Sequence, residues 1–272
     1  MKTIVVPVHF SDNSANAARY AADLALSIGA EIQLLYIFQM PVSMPDAPMP
    51  QQAFESLEAS GQEMLDNLSN ELYRRTRGKV PIQTDLETGT VEGQIEKYCK
   101  EKEPLLVVMG ATGSGLENMM TGSNSLRAVR NLHYPVLVVP ENVRFHSLRN
   151  VVVACDSEDL SNGLPMSAPL LQVLENMPNI RLEVVHFLRD NESESEFSLD
   201  YNQWKGVLKG LQPTLRFIRT TSIKEGMNEL LAEGTADLIV VFPKKHKVLE
   251  FHRSRAGWLI MHCGVPVMSV HE

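Results

Sequence analysis

The chain carries one series of apolar runs twice. Thr3-Ile-Val-Val-Pro-Val-His9 is matched by Asn150-Val-Val-Val-Ala-Cys-Asp156 in the second half. Ile32-Gln-Leu-Leu-Tyr-Ile-Phe38 is matched by Leu182-Glu-Val-Val-His-Phe-Leu188. Leu105-Leu-Val-Val-Met109 returns as Leu238-Ile-Val-Val-Phe242, and Pro135-Val-Leu-Val-Val139 as Pro266-Val-Met-Ser-Val270. Four matched runs in one order predict a duplicated unit, and such a repeat sets the architecture before any local reading does. The polar stretch 140–148 follows the last run of the first copy. It divides the chain into units at 1–141 and 148–272.

Helical patterns lie between the runs. Ala15, Ala18, Ala21, Leu24, Ala25 and Ile28 recur at helical spacing until Gly29, a residue suited to a helix end. Phe54, Leu57, Met64, Leu65, Leu68 and Leu72 form a second apolar stripe, and Ile95, Tyr98 and Cys99 fit a third. A last helix of the first unit is expected from near Ser125, through Leu126, Val129 and Arg130. Continuous Val/Ile/Leu runs alternating with helices predict a parallel sheet covered on both faces. With a third strand at 80–86, each unit becomes a five-stranded α/β layer. The Met- and Pro-rich stretch 40–50 and the acidic stretch 191–196 read as connectors. The first of these is alternatively a cover over a ligand, because it follows the carboxyl end of a strand.

Bulk properties narrow the function. The 272 residues carry a net charge of −8, which argues against a general nucleic-acid or anionic-membrane surface. No apolar run approaches the roughly 20 residues of a membrane span, and the opening run is too short for a signal peptide. The three scattered cysteines, Cys99, Cys155 and Cys263, read as reduced thiols of a cytoplasmic protein.

The most chemical stretch follows Met109. The run ends at Gly110, and glycines recur at 113, 115 and 122 before Ser123, Asn124 and Ser125. A buried strand feeding a glycine-rich loop and a helix start can turn backbone N–H groups onto an anion. An adenine could lie among Pro7, Val8 and Ile37, with its phosphates reaching the loop. The plainer reading is that these glycines only make a tight turn. The Gly-x4-Gly-Lys-Ser/Thr phosphate loop is absent, and the dinucleotide fingerprint is not at the first strand.

Gly110-Ala-Thr-Gly113, a spacer and Gly122-Ser123-Asn124 resemble the signature of the universal stress protein family. The opening Ile-Val-Val-Pro-Val-His-Phe-Ser and the Tyr134-Pro-Val-Leu-Val-Val-Pro segment resemble it too. The resemblance spans nearly the whole chain, as two tandem domains. It implies an adenine nucleotide alpha hydrolase-like fold: five parallel strands per domain in the order 3-2-1-4-5, helices on both faces, and domains paired through their last strands. It further implies ATP as ligand, with or without Mg. Matched by motif position, the phosphate and ribose residues are Met109, Gly110, Gly113, Gly122, Ser123 and Asn124. The adenine-side residues are Pro7, Val8, His9 and Ile37. Two departures stand out. The spacer 114–121 has eight residues where the family has nine, and His9 replaces a usual acid. A neutral imidazole offers one donor and one acceptor where a carboxylate only accepts.

The second unit has lost the loop. Phe242-Pro-Lys-Lys-His246 stands where the first has Met109-Gly-Ala-Thr-Gly113. Pro243 has no N–H to offer. Charge-assisted hydrogen bonds are worth ~1.5–3 kcal/mol each, so no comparable ATP site is expected there. Lys244, Lys245, Lys247, Arg253 and Arg255 read either as a solvated loop or as a patch for a phosphorylated ligand or acidic partner. His246 and His252 fit no usual zinc pattern, and Cys155 reads as a core thiol.

The leading expectation is a cytoplasmic stress-response regulator that binds an adenine nucleotide in its first domain. No catalytic group can be assigned, so slow ATP hydrolysis ranks lower. A nucleotide-free dimerisation or interaction module is the alternative. The apolar last strands need partners. The two units are expected to supply each other as a pseudo-dimer, and a further homodimer is a separate expectation.

Overall fold

In the computed structural model, residues 2–38, 51–111, 128, 131–155, 168–188, 192–194, 210–243 and 263–270 are described. The stretch 40–50, the glycine loop from 112 to 127, Asp156 and the basic segment 244–255 lie outside them.

The first half runs β1 (Thr3–Val8), α1 (Asp12–Ile28), β2 (Glu31–Phe38), α2 (Gln51–Arg75), β3 (Ile82–Thr88), α3 (Val91–Lys102), β4 (Leu106–Gly110) and β5 (Val136–Val139). The second half runs β6 (Asn150–Cys155), α4 (Ala168–Asn176), β7 (Arg181–Leu188), β8 (Thr214–Arg219), α5 (Ile223–Ala232), β9 (Leu238–Val241) and β10 (Val267–Ser269). The third strand, expected over 80–86, starts at Ile82. Pro81 stands before it and can give no ladder N–H. Helix α1 begins where the Ser11 side chain accepts from the Ser14 N–H. It ends at Gly29 in the left-handed region, φ 67°, whose N–H returns to the Ala25 carbonyl.

The strands form one ten-stranded sheet in the order β3-β2-β1-β4-β5-β10-β9-β6-β7-β8. The expectation is two five-stranded layers paired through their last strands; the hydrogen bonding runs through the middle without a break and makes them a single sheet. Val138 pairs with Val267, Leu137 with Met268 and Val136 with Ser269, antiparallel. Two short apolar strands thereby each gain the partner that an edge lacks. The other strand pairs are parallel.

Alternating side chains feed two apolar layers, one on each face of the sheet. Ile4, Val6 and Val8 join α1, α2 and α4 through Leu24, Leu65 and Leu170. Val5, Ile37 and Met109 join α3 and α5 through Ile95, Cys99 and Leu230. The connection between the halves is held from both sides. Asn16 of α1 donates to the carbonyls of Pro140 and Val143, at 3.2 and 3.0 Å. Phe145 meets Tyr20 edge-on at 5.3 Å. From the other side, the Asp237 carboxylate accepts from the backbone N–H groups of Arg149 and Asn150, at 2.9 and 2.8 Å.

Candidate functional site

In the first half the strand order places β1 beside β4, with β2 and β3 on one side and β5 on the other. Crossovers leave β1 in opposite directions here, which is where an open parallel sheet forms a crevice beyond its carboxyl ends. Four sequence-predicted residues lie at this end and are buried: Pro7, Val8, Ile37 and Met109. His9 is exposed just beyond them, and Gly110 closes β4 half-buried. Gly113, Gly122, Ser123 and Asn124 lie outside the described residues.

These side chains do not all face one way. Ile37 and Met109 belong to the apolar layer under α3. Strand alternation puts Pro7 on that side, two residues after Val5. Val8 faces the α1 layer instead. A flat apolar ligand group on the α3 side would therefore meet Pro7, Ile37 and Met109.

The start of α1 closes the other side, and its residues were not singled out in the sequence. The His9 N–H donates to Ser14 Oγ at 3.0 Å, and the His9 Nε2 lies 2.9 Å from Ser11 Oγ. Ser11 Oγ also accepts from the Ser14 N–H at 3.3 Å. One hydroxyl thus caps the helix and fixes the imidazole. Asn13 Nδ2 donates to the Ala111 carbonyl at 3.0 Å, tying the helix start to the chain leaving β4. Asn13 Oδ1 is buried without a hydrogen-bond partner among the described residues. Ala111 itself is anchored through its N–H to the Val139 carbonyl at 2.8 Å. The run Ser11-Asp-Asn-Ser14 before an alanine-rich helix was the available signal, since Ser and Asn cap helices with their side-chain oxygens.

Gly110 makes this contact possible. A Cβ at its position would stand 2.6 Å from the Asn13 carbonyl oxygen and 2.9 Å from its carbon. Only a residue without a side chain lets the strand end lie against the helix start. Electrostatically, the end of β1 meets the positive end of the α1 dipole. Packing of the imidazole holds the His9 pKa below its ordinary value although part of the ring is exposed, so His9 is neutral at pH 7.

The matching edge of the second half differs. β9 runs into Phe242 and Pro243 where β4 runs into Gly110 and Ala111. The ladders differ as well. β1 and β4 pair only at Ile4 with Leu106 and Val5 with Val107. β6 and β9 pair at four positions, through Ala154 with Val241.

A family model described as the universal stress protein family matches residues 1–140. A universal stress protein of Methanocaldococcus jannaschii is 33% identical over 141 residues, covering 51% of this chain and 81% of that protein. Among solved structures, a universal stress protein from Archaeoglobus fulgidus superposes with a TM-score of 0.75 at 15% identity, covering 99% of this chain and 96% of the other. A Pseudomonas aeruginosa protein of unknown function superposes with a TM-score of 0.57 at 11% identity, covering 100% of this chain and 92% of its own. At these identities the two structures speak for the fold alone.

Proposed function

The chain belongs to the universal stress protein family, and on that footing we propose that it is a cytoplasmic stress-response regulator that binds an adenine nucleotide, ATP, in its first half. The observation that carries the reading is the contact of Gly110 with the first turn of α1. It sets the exit of β4 and the amino end of a helix side by side at one end of one crevice, and the glycine-rich sequence follows directly in the chain. Backbone N–H groups and a helix dipole favour phosphate there. The buried surface of Pro7, Ile37 and Met109 offers the apolar wall an adenine requires. Gly113, Gly122, Ser123 and Asn124 complete the phosphate and ribose side in this reading, with Mg as an optional companion of the phosphates.

We read the chain further as two tandem family units, 1–141 and 148–272, joined as an internal pseudo-dimer. The repeated strand order and the β5–β10 pairing support this. The second unit, with Pro243 at the strand exit, is the degenerate partner.

Calorimetric titration with ATP, ADP and adenosine tests the ligand, together with mass spectrometry of protein purified without added nucleotide. Binding of ATP and ADP well above adenosine is the expected result. No heat and no thermal shift at millimolar nucleotide would leave the nucleotide-free interaction module. His9 and the eight-residue spacer favour that second reading.

A further inference from the structure

We infer that Pro7 is a positioning residue of the candidate nucleotide site: by withholding one backbone N–H it keeps the β1–β4 seam unzipped at the end where the ligand would enter. The inference rests on the nucleotide reading for its functional half.

Strand geometry identifies the missing bond. The Lys2 carbonyl accepts from the Glu31 N–H, so Lys2 faces β2, while the Thr3 carbonyl accepts from the Leu105 N–H on the β4 side. Backbone groups alternate along a strand, so Thr3, Val5 and Pro7 present theirs to β4. In a parallel ladder the next rung after Val5 would join the N–H of residue 7 to the Val108 carbonyl. Proline has no N–H, and the pairing stops at Val5 with Val107. β1 keeps its pairing to β2 as far as Val8 with Tyr36, and β4 keeps its pairing to β5 as far as Gly110 with Val139. The strands do not end; one seam between them does.

The second half is an internal control. Asp237 N–H donates to the Asn150 carbonyl as Leu105 does to Thr3. The residue in the place of Pro7 is Ala154. It has an N–H, and the β6–β9 ladder continues through Val153 with Val240 and Ala154 with Val241. The open seam therefore accompanies Gly110, and the zipped seam accompanies Pro243. An unzipped seam leaves β1 and β4 free to adjust their spacing around a ligand. A zipped one fixes it.

The test is Pro7→Ala in the full chain, read by amide hydrogen exchange and by ATP titration. The amide that the substitution introduces at position 7 reports the seam directly. The expected result is slow exchange at that amide, comparable with Ala154, with unchanged or higher thermal stability and ATP affinity about tenfold lower, a loss of the size one ladder bond can exert. Lower affinity in a protein that is no less stable separates positioning from general damage. Pro7→Val, which adds the same N–H but keeps an apolar side chain of similar size on the adenine wall, should lose as much. Full affinity in Pro7→Val would trace the loss to the ring contact and overturn the inference. Fast exchange at the introduced amide, or slow exchange with unchanged ATP affinity, would overturn the inference. Failure of the nucleotide reading looks different: neither wild type nor variant binds ATP, and Pro7 then loses its positioning role along with the site. The reciprocal Ala154→Pro change should abolish the protection of the β6–β9 seam without creating ATP binding, because Pro243 remains.

Discussion

The Gly110 backbone lies against the Asn13 backbone so closely that a Cβ on Gly110 would stand 2.6 Å from the Asn13 carbonyl oxygen. Two elements that are distant in sequence, the exit of β4 and the first turn of α1, are held in register by the absence of one side chain. The Asn13 bond to Ala111 lies beside this contact. The Gly110→Ala chain should still fold, with α1 displaced from β4, at a cost of about 1–3 kcal/mol, the range for overpacking a close contact. A urea midpoint measures it. If the proposed nucleotide reading holds, ATP affinity measured by calorimetry should fall in the same variant.

Ser11 links the helix cap to the site. Its hydroxyl accepts from the Ser14 N–H and meets His9 Nε2. Ser11→Ala should cost about 1 kcal/mol of stability, the usual worth of an N-cap. It should also free the imidazole, which NMR would show as a His9 pKa closer to the ordinary histidine value than the lowered one of the native protein. Ser11→Thr should restore both.

Asp237 makes stability depend on pH. Burial works to raise its pKa, but the N–H groups of Asn150 and Arg149 and the His146 ring outweigh it, and the net shift is downward. A carboxylate whose folded pKa lies below its unfolded one contributes stability above the unfolded value, near pH ~4. That contribution is lost as pH falls through the folded value. Asp237→Ala should therefore lower stability at pH 7 by about 1–2 kcal/mol, with the difference from wild type shrinking below pH ~4. Denaturation midpoints at pH 7, 4 and 3 would show it.

The cysteines should be inert in the folded protein. Cys99, Cys155 and Cys263 are all buried. Burial pushes the Cys99 thiol up to about 12 and that of Cys263 up to about 11. The thiolate is the reactive form, so iodoacetamide at pH 8 should label none of the three until denaturant is added. Mass spectrometry of the native and unfolded chain reads this directly.

Much of the fold was legible in the residues because burial writes a plain pattern. Strands covered on both faces are continuous runs such as Ile4-Val-Val and Leu106-Val-Val, and the helix that Gly29 ends shows its apolar stripe at helical spacing. The strand of residues 82–88 begins later than its apolar residues suggest, because its burial alternates weakly and Pro81 marks its start. The site was legible in part. Glycine at 110 pointed to a close approach, but nothing local named Asn13, far away along the chain, as the group approached.

The sequence by itself determined the duplicated series of apolar runs and the apolar layers, because spacing and polarity are local properties of the chain; the candidate ligand residues came from its resemblance to a family. Tertiary structure alone decided the antiparallel register in which the last strands of the two halves join, Val138 with Val267, and that Val8 faces away from Ile37 and Met109. It also decided that one seam stops at Val5 while its counterpart runs on to Ala154. Those facts depend on which strand lies beside which and in what register, and hydrogen bonds between distant segments fix both.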